Sequence, residues 1–443
     1  MRRVLFLLAA LFALAVPAAA NPAAADPGAD IREIVSPAGL RAWLVTDRGV
    51  PVISVRFAFR GAGGAADPDG KAGLADMAAA LLTEGAGEMD SQAFSRRLED
   101  LSVDLSFEAG VERVSGALRT LTENRAQAFD LLRLALTRPR FDEDAVARVR
   151  RQILSHLSAQ SQSPRRIAGR RWFAVMFGDH PYGRPLEGTP ESVAAISADD
   201  LRGVLRRLAR DNLVVSVVGD IGADEVGPLL DAAFADLPAR ADLPDIAPAA
   251  PGHGGTIVVP LDVPQSVVVF GQKGIARDDP DFYAAYLMNR ILGGGGFTSR
   301  LSTEIREKRG LAYSVYSALV PRDTGSLILG GVATENARVG ESLDLVRREW
   351  TRMRDEGVTE AELADAKSYS IGSYPLRFTS TGGIAAMLTA IQLDSLGIDY
   401  VDRRKALLSA VTVADIRRVA RRLLDPDGLT VVVVGQPQGV DPG

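Results

Sequence analysis

Few residues in this chain could support acid–base or metal chemistry. It holds three histidines, His156, His180 and His253, and no cysteine. The missing cysteine removes disulfides, thiolate metal sites and cysteine nucleophilic catalysis. No Ser-His-Asp arrangement stands out around the three histidines. The stretch GLADMAAALLTEG, Gly73 to Gly85, has the form of a helix entering a catalytic site. It has small residues, an apolar face, an acid (Asp76) near its start and a glycine stop. Yet it contains no histidine, and its one glutamate, Glu84, stands near its end. His156 lies in RRQILSHLSAQ, a helical pattern in which a lone histidine is ordinarily a surface or packing residue. His180 lies in GDHPYG, which predicts a turn. The run GGGG, Gly293 to Gly296, invites comparison with a phosphate cradle. It lacks the G-K-[ST] ending of a P-loop and does not follow a strand in a dinucleotide-binding unit. Its glycines permit close backbone approach and unusual dihedrals, and they also fit a helix stop and turn.

The elements that must position these residues can be read from pattern. The chain has 443 residues, 47% hydrophobic and 24% charged, as in a soluble globular protein. Its net charge of -5 gives no basic footprint for nucleic acid. At the start, Arg2 and Arg3 precede an apolar run, Val4 to Val16, and an A-x-A site ends at Ala20. Residues 1–20 therefore predict a secretory signal peptide, and the run is short for a membrane span. The expected location is the periplasm, with no membrane attachment after cleavage.

The remainder repeats itself. ISADDLRGVLRRLARDNLVVSVVGD (Ile196 to Asp220) and VTVADIRRVARRLLDPDGLTVVVVGQ (Val411 to Gln436) share one plan. Each opens with a capping box, Ser197 with Asp200 and Thr412 with Asp415. Each continues as a basic amphipathic helix and ends in a β-branched run and a glycine, which predicts a buried strand. Repeats so far apart mean duplicated domains. PVISVRFAFRGAG and PQSVVVFGQKG predict matching strands, each followed by a helix, at Gly73 to Glu84 and at Phe282 to Leu292. LPARADLPDIAPAAPGHGG, residues 237–255, has the composition of a linker and contains His253. The expected fold class is α+β, with two homologous α/β-layered halves at 21–236 and 256–443.

The two-half plan, the linker and the stretch ILGGGGFTSRLSTEIREKRGLAYSVYS (Ile291 to Ser317) resemble the pitrilysin or insulinase-type zinc peptidases, family M16. The short-chain bacterial branch, M16B, is the most similar. The resemblance covers nearly all of the chain after the signal peptide. It implies the LuxS/MPP-like metallohydrolase fold, with the halves enclosing a chamber. It also implies an inverted zinc motif, H-x-x-E-H, on the helix where GLADMAAALLTEG stands. Asp76 occupies the first histidine position, Ala79 the glutamate base and Ala80 the second histidine. RRQILSHLSAQ lies over the helix that supplies a further glutamate ligand, and His156 stands there. Two ligands without a base do not make a hydrolytic zinc centre, so no metal is expected in this chain.

The resemblance further implies that the second half supplies an arginine and a tyrosine seven residues apart. Arg306 and Tyr313 match that spacing. Ser302 to Arg309 predicts a helix with Gly310 as its stop, and Leu311 to Leu319 a strand in which Leu311, Tyr313 and Val315 face one way. Lys308 and Arg309 are expected to be solvated charges. The resemblance makes Gly293, Gly294, Gly295, Gly296 and Phe297 a loop that contacts peptide. The function it implies is that of a non-catalytic subunit. A zinc-bearing M16B partner would complete the enzyme, with peptide as substrate and Arg306 and Tyr313 acting in trans. The alternatives are a peptide-binding or scaffold protein with no catalytic role, and a stand-alone enzyme with an unusual metal site at Asp76 and His156.

Overall fold

The computed structural model describes residues 30–440, and the signal-peptide segment 1–20 lies outside them. Two mixed sheets form its frame. The first contains β1 (Arg32–Val35), β2 (Arg41–Thr46), β3 (Val52–Arg60), β4 (Asp104–Ala109), β5 (Arg113–Leu121) and β6 (Leu213–Gly219), in the order β1-β2-β6-β3-β5-β4. The second contains β7 (Thr256–Pro260), β8 (Gln265–Lys273), β9 (Ala312–Val320), β10 (Leu327–Glu335) and β11 (Thr430–Gly435), in the order β7-β11-β8-β10-β9. In each sheet one pair is parallel, β2 with β6 and β11 with β7, and the central strands are antiparallel. The second order repeats the first without β1.

The repeat extends to side chains. Phe57 on β3 lies opposite Gly116 on β5, and Phe270 on β8 lies opposite Gly330 on β10. Each ring fills the space where a Cβ on the glycine would sit, 2.2 Å and 2.3 Å away. A central aromatic thus covers a strand glycine in both halves.

Eight helices matter to the site: α1 (Leu74–Leu81), α2 (Glu143–Gln160), α3 (Pro164–Phe177), α4 (Ala198–Val204), α5 (Phe282–Asn289), α6 (Thr381–Leu393), α7 (Tyr400–Ala410) and α8 (Val413–Leu423). The capping boxes of α4 and α8 are both formed. The helix α4 is shorter than the pattern suggests and tightens into a 3₁₀ turn, Leu205–Arg207. Helix α5 ends at Asn289, and a π-helical turn, Arg290–Gly294, follows it.

The halves exchange helices. Helix α3 belongs to the first half but packs on β11 and β8 of the second sheet, where Trp172 is fully buried. Its Nε1–H donates to the Thr430 carbonyl at 3.0 Å. Helix α6 belongs to the second half but covers β6 and β3 of the first sheet. Gln392 donates to the Val215 carbonyl at 2.9 Å and to Ser216 Oγ at 2.8 Å, and Thr389 Oγ1 donates to Ser216 Oγ at 3.0 Å. At the C-terminus of α6, Arg60 Nη1 donates to the Leu393 carbonyl at 2.7 Å, where a cation meets the negative end of a helix. Because both faces of β6 and β11 are covered, their β-branched runs carry no polar alternation.

Residues 237–255 contain no helix or strand, yet they are fastened. Asp242 N–H donates to the Arg206 carbonyl, Ala249 to Thr324 and Gly252 to Met176. His253 lies 3.9 Å from Asp425. His180 accepts from Tyr182 N–H through Nδ1 and donates through Nε2 to the Ala247 carbonyl, so it holds the Pro181–Gly183 turn.

Trp172→Ala removes a fully buried side chain between the halves. It is expected to cost about 3–5 kcal/mol. Calorimetry should still show one cooperative transition, shifted down. Two separated transitions in the parent chain would contradict this coupling.

Candidate functional site

Helix α1 is held by the core. Leu74, Ala75, Met77, Ala78, Ala79 and Leu81 are all buried. The helix starts at Gly73, whose φ of 93° is a left-handed value and whose Cβ would meet the Glu187 carbonyl oxygen at 2.9 Å. The orphan amides of its first turn are served by a carboxylate outside the helix. Ala75 N–H donates to Asp67 Oδ1 at 3.1 Å, and Arg207 Nη1 donates to the same oxygen at 2.9 Å. Both ionic side chains are buried, so the pair anchors α1 beside the end of α4. At the other end, Arg148 on α2 grips Glu84 with two hydrogen bonds, at 3.1 Å and 2.6 Å. The Glu84 carboxyl is lowered by this pairing. Glu84 is thus a brace between α1 and α2.

The positions that the resemblance marked as degenerate metal ligands lie on these two helices. Ala79 is buried and Ala80 is exposed. His156 is exposed on α2 and hydrogen-bonds Gln160 one turn later. Asp76 is half-buried, and no hydrogen bond to its carboxylate forms among the described residues. Burial, then the charges of Glu187 and Asp67, push its pKa up to about 6, while His156 pulls the other way. Asp76 and His156 form no ion pair. No group of three or more potential ligands gathers among the described residues.

The second half builds a different site. The π-helical turn Arg290–Gly294 leads into the exposed tip Gly296–Thr298, and a second π-helical segment, Ser302–Glu307, follows. Such turns are rare and concentrate at functional sites. The turn is packed down as well as glycine-rich. A Cβ at Gly293 would fall 2.3 Å from Ser317 Oγ on β9. Buried Asn289 and Ser317 are clamped together, Ser317 Oγ donating to Asn289 Oδ1 at 2.7 Å and Asn289 Nδ2 donating to the Ser317 carbonyl at 3.2 Å. Beyond the tip, buried Arg300 donates to both Glu362 oxygens, at 2.7 and 2.8 Å, and to the Gly357 carbonyl at 2.9 Å. Burial alone would raise Glu362; Arg300 and the Thr359 amide hold it at about 2 instead. The sequence reading missed both anchors, because each joins residues distant along the chain.

Arg306 lies near two aromatic rings. Its guanidinium carbon is 4.1 Å from the Phe297 ring centroid and 5.7 Å from that of Tyr313. Among the described residues no carboxylate pairs with it. Lys308 and Arg309, expected to be solvated charges, are exposed but both bond Glu304, at 2.6 Å and 2.8 Å. Tyr313 corrects the strand reading. Leu311 and Val315 are buried, but Tyr313 is 83% exposed. A β-bulge lies between Ala312 and Val315 against β10. The extra residue breaks the alternation and turns both Tyr313 and Ser314 outward. Strand β9 is also the edge of its sheet, with one row of backbone groups unpaired, as β4 is in the first sheet.

A duplicated α/β frame, without a cluster of three or more potential metal ligands among its described residues, defines the architecture to be compared with known proteins. Residues 56–190 match the insulinase (peptidase family M16) model, and residues 195–369 match the peptidase M16 inactive domain. The non-peptidase homolog YmxG of Helicobacter pylori is 30% identical, over 74% of this chain and 76% of its own length. An uncharacterized zinc protease of Streptomyces coelicolor is 29% identical over 89% and 87%. The crystal structure of a peptidase M16 inactive domain from Pseudomonas fluorescens superposes with a TM-score of 0.87 at 28% identity, covering 93% of this chain and 99% of that one. The chain belongs to peptidase family M16.

Asp76 offers a test of how its surroundings treat charge. Its folded pKa of about 6 lies above its ordinary value of 3.8. As pH rises through that window the unfolded chain releases the proton first, so stability falls and stays reduced above it. Asp76→Asn is expected to stabilise the protein at pH 8 by up to about 3 kcal/mol and to leave it unchanged near pH 3.5. Denaturant melts at both pH values check this. An equal gain at both would place the cause elsewhere.

Proposed function

We propose that this chain is the non-catalytic, substrate-binding subunit of a heterodimeric zinc metalloendopeptidase of the M16B type. In this reading the first 20 residues export it to the periplasm, and domains 21–236 and 256–443 form half of a peptide chamber. Zinc and the general base belong to the partner subunit. This chain's own residues bind and orient the peptide and add charge stabilisation.

The observation that carries the reading is the state of Arg306. A guanidinium within reach of two aromatic rings, with no carboxylate partner among the described residues and with an exposed phenol beside it, is available to a ligand. Arg306 and Tyr313 can donate hydrogen bonds to a peptide carbonyl and stabilise the charge that develops on its oxygen. The loop Gly293–Gly296 lets backbone approach closely, and Phe297 offers an apolar face. An extended peptide could pair with the free edge of a sheet. The bracing of α1 by Asp67, Arg207 and Glu84 explains why that helix persists without metal ligands.

A second reading, an inactive peptide-binding or scaffold protein with no catalytic role, draws on the relative named a non-peptidase homolog. One experiment separates the two. Peptide hydrolysis is measured for this chain, for a zinc-bearing M16B homologue, and for their mixture. Activity is expected only in the mixture. Arg306→Ala should lower its kcat by about 100-fold, the scale of one lost oxyanion donor, and Tyr313→Phe by about tenfold. A mixture no more active than the homologue alone would favour the scaffold.

A further inference from the structure

Behind the glycine-rich turn lies a cleft of about 460 Å³, lined by residues of the second half. It is walled by α5, β9, α6, α7 and the 3₁₀ segment Tyr374–Phe378. Its charges are unbalanced. Arg277, Arg290, Arg377 and Arg404 line it, against the one carboxylate of Asp394. Arg277 consumes that carboxylate at 3.2 Å. The other three guanidiniums have no carboxylate partner among the described residues. Arg290 lies 3.7 Å from the Tyr369 ring centroid and Arg404 4.1 Å from that of Tyr374. Arg404 also donates to the Ser370 carbonyl at 3.0 Å. These contacts position the cations without neutralising them.

The rest of the wall is apolar and aromatic, including Tyr286, Met387, Ile391 and Leu408. The Tyr374 hydroxyl is buried without a hydrogen-bond partner. Burial holds its pKa above the usual phenol range, so it keeps its proton at neutral pH. Arg377 is exposed and Arg290 and Arg404 are half-buried, so three like charges face one open, mainly apolar cleft and repel one another, with solvent screening part of that repulsion. An anion entering the cleft offsets that cost and pairs with planar donors suited to a carboxylate. The volume falls in the range of small-molecule sites, which are mainly apolar with a few placed polar groups.

We propose that this cleft is a binding site for a small carboxylate with an apolar body. The head group pairs with the guanidiniums of Arg290, Arg377 and Arg404, and the body lies against the aromatic and aliphatic wall. The inference does not depend on the subunit reading. Two sources share this chemistry: the free C-terminus of a short apolar peptide, and a free amphiphilic acid.

Calorimetric titration of the full chain tests it with three probes: N-acetyl-Leu-Phe with a free carboxylate, the same dipeptide as its amide, and decanoate. At least one acid is expected to bind, and the amide at least about tenfold more weakly than the dipeptide acid. Arg290 and Arg377 donate no side-chain hydrogen bond among the described residues, so Arg377→Gln should melt with the parent and Arg290→Gln, which loses its contact with the Tyr369 ring, only slightly below it. Each is expected to weaken the bound acid about tenfold, the scale of one charge-assisted hydrogen bond. Binding of the dipeptide acid alone assigns the site to peptide ends, and binding of decanoate alone assigns it to free acids. Failure of both acids, equal binding of acid and amide, or unchanged binding in both arginine variants would overturn the proposal.

Discussion

Each sheet in this chain is closed on one face by a helix that the other half supplies. Helix α3 lies on β8 and β11, and α6 lies on β3 and β6. The arrangement joins packing to polar bonding. Trp172 is fully buried on the second sheet and bonds the Thr430 carbonyl, while Gln392 and Thr389 bond Ser216 on the first. Neither sheet has a complete core without its neighbour. This is why fully apolar runs such as TVVVVG are stable in a central strand, and why the two halves keep a fixed relation.

That rigidity holds the first half in shape without any metal cluster among the described residues. Most of α1 faces the core, so alanines at 79 and 80 do not disturb it, and its ends are held by Asp67 and Glu84. The second half keeps a different pattern. Its glycine-rich turn is clamped by Asn289 and Ser317 and anchored beyond the tip by Arg300 and Glu362. Between those anchors the tip and Arg306 are left exposed or half-exposed. A rigid base beneath an open, unpaired cation is an arrangement suited to binding.

The cleft behind the turn belongs to the same geometry. It exists because α6 leaves its own half to cover the other sheet, opening space between itself, α5 and β9. Three arginines from separate elements then face one cavity. No local pattern in the sequence marks them, since each stands among ordinary helix or loop charges.

Local pattern was enough for the elements and the duplication. The capping boxes at Ser197 and Thr412, the β-branched runs after them and the strands around Phe57 and Phe270 follow from short-range preferences, which do not need the rest of the chain. The family was legible as well, because the stretch from Ile291 to Ser317 carries its residues in short-range order. Three other features depended on tertiary structure. The exposure of Tyr313 depends on a bulge against β10, which alternation alone cannot foresee. The raised pKa of Asp76 depends first on burial and then on the charges of Glu187 and Asp67, all of them produced by folding. The nearness of Arg306 to both Phe297 and Tyr313 depends on the fold of the turn, which includes two π-helical segments. Residue type and short spacing determine which elements form. Burial, pairing and the direction of a side chain depend on neighbours distant in sequence, so only the folded chain decides them.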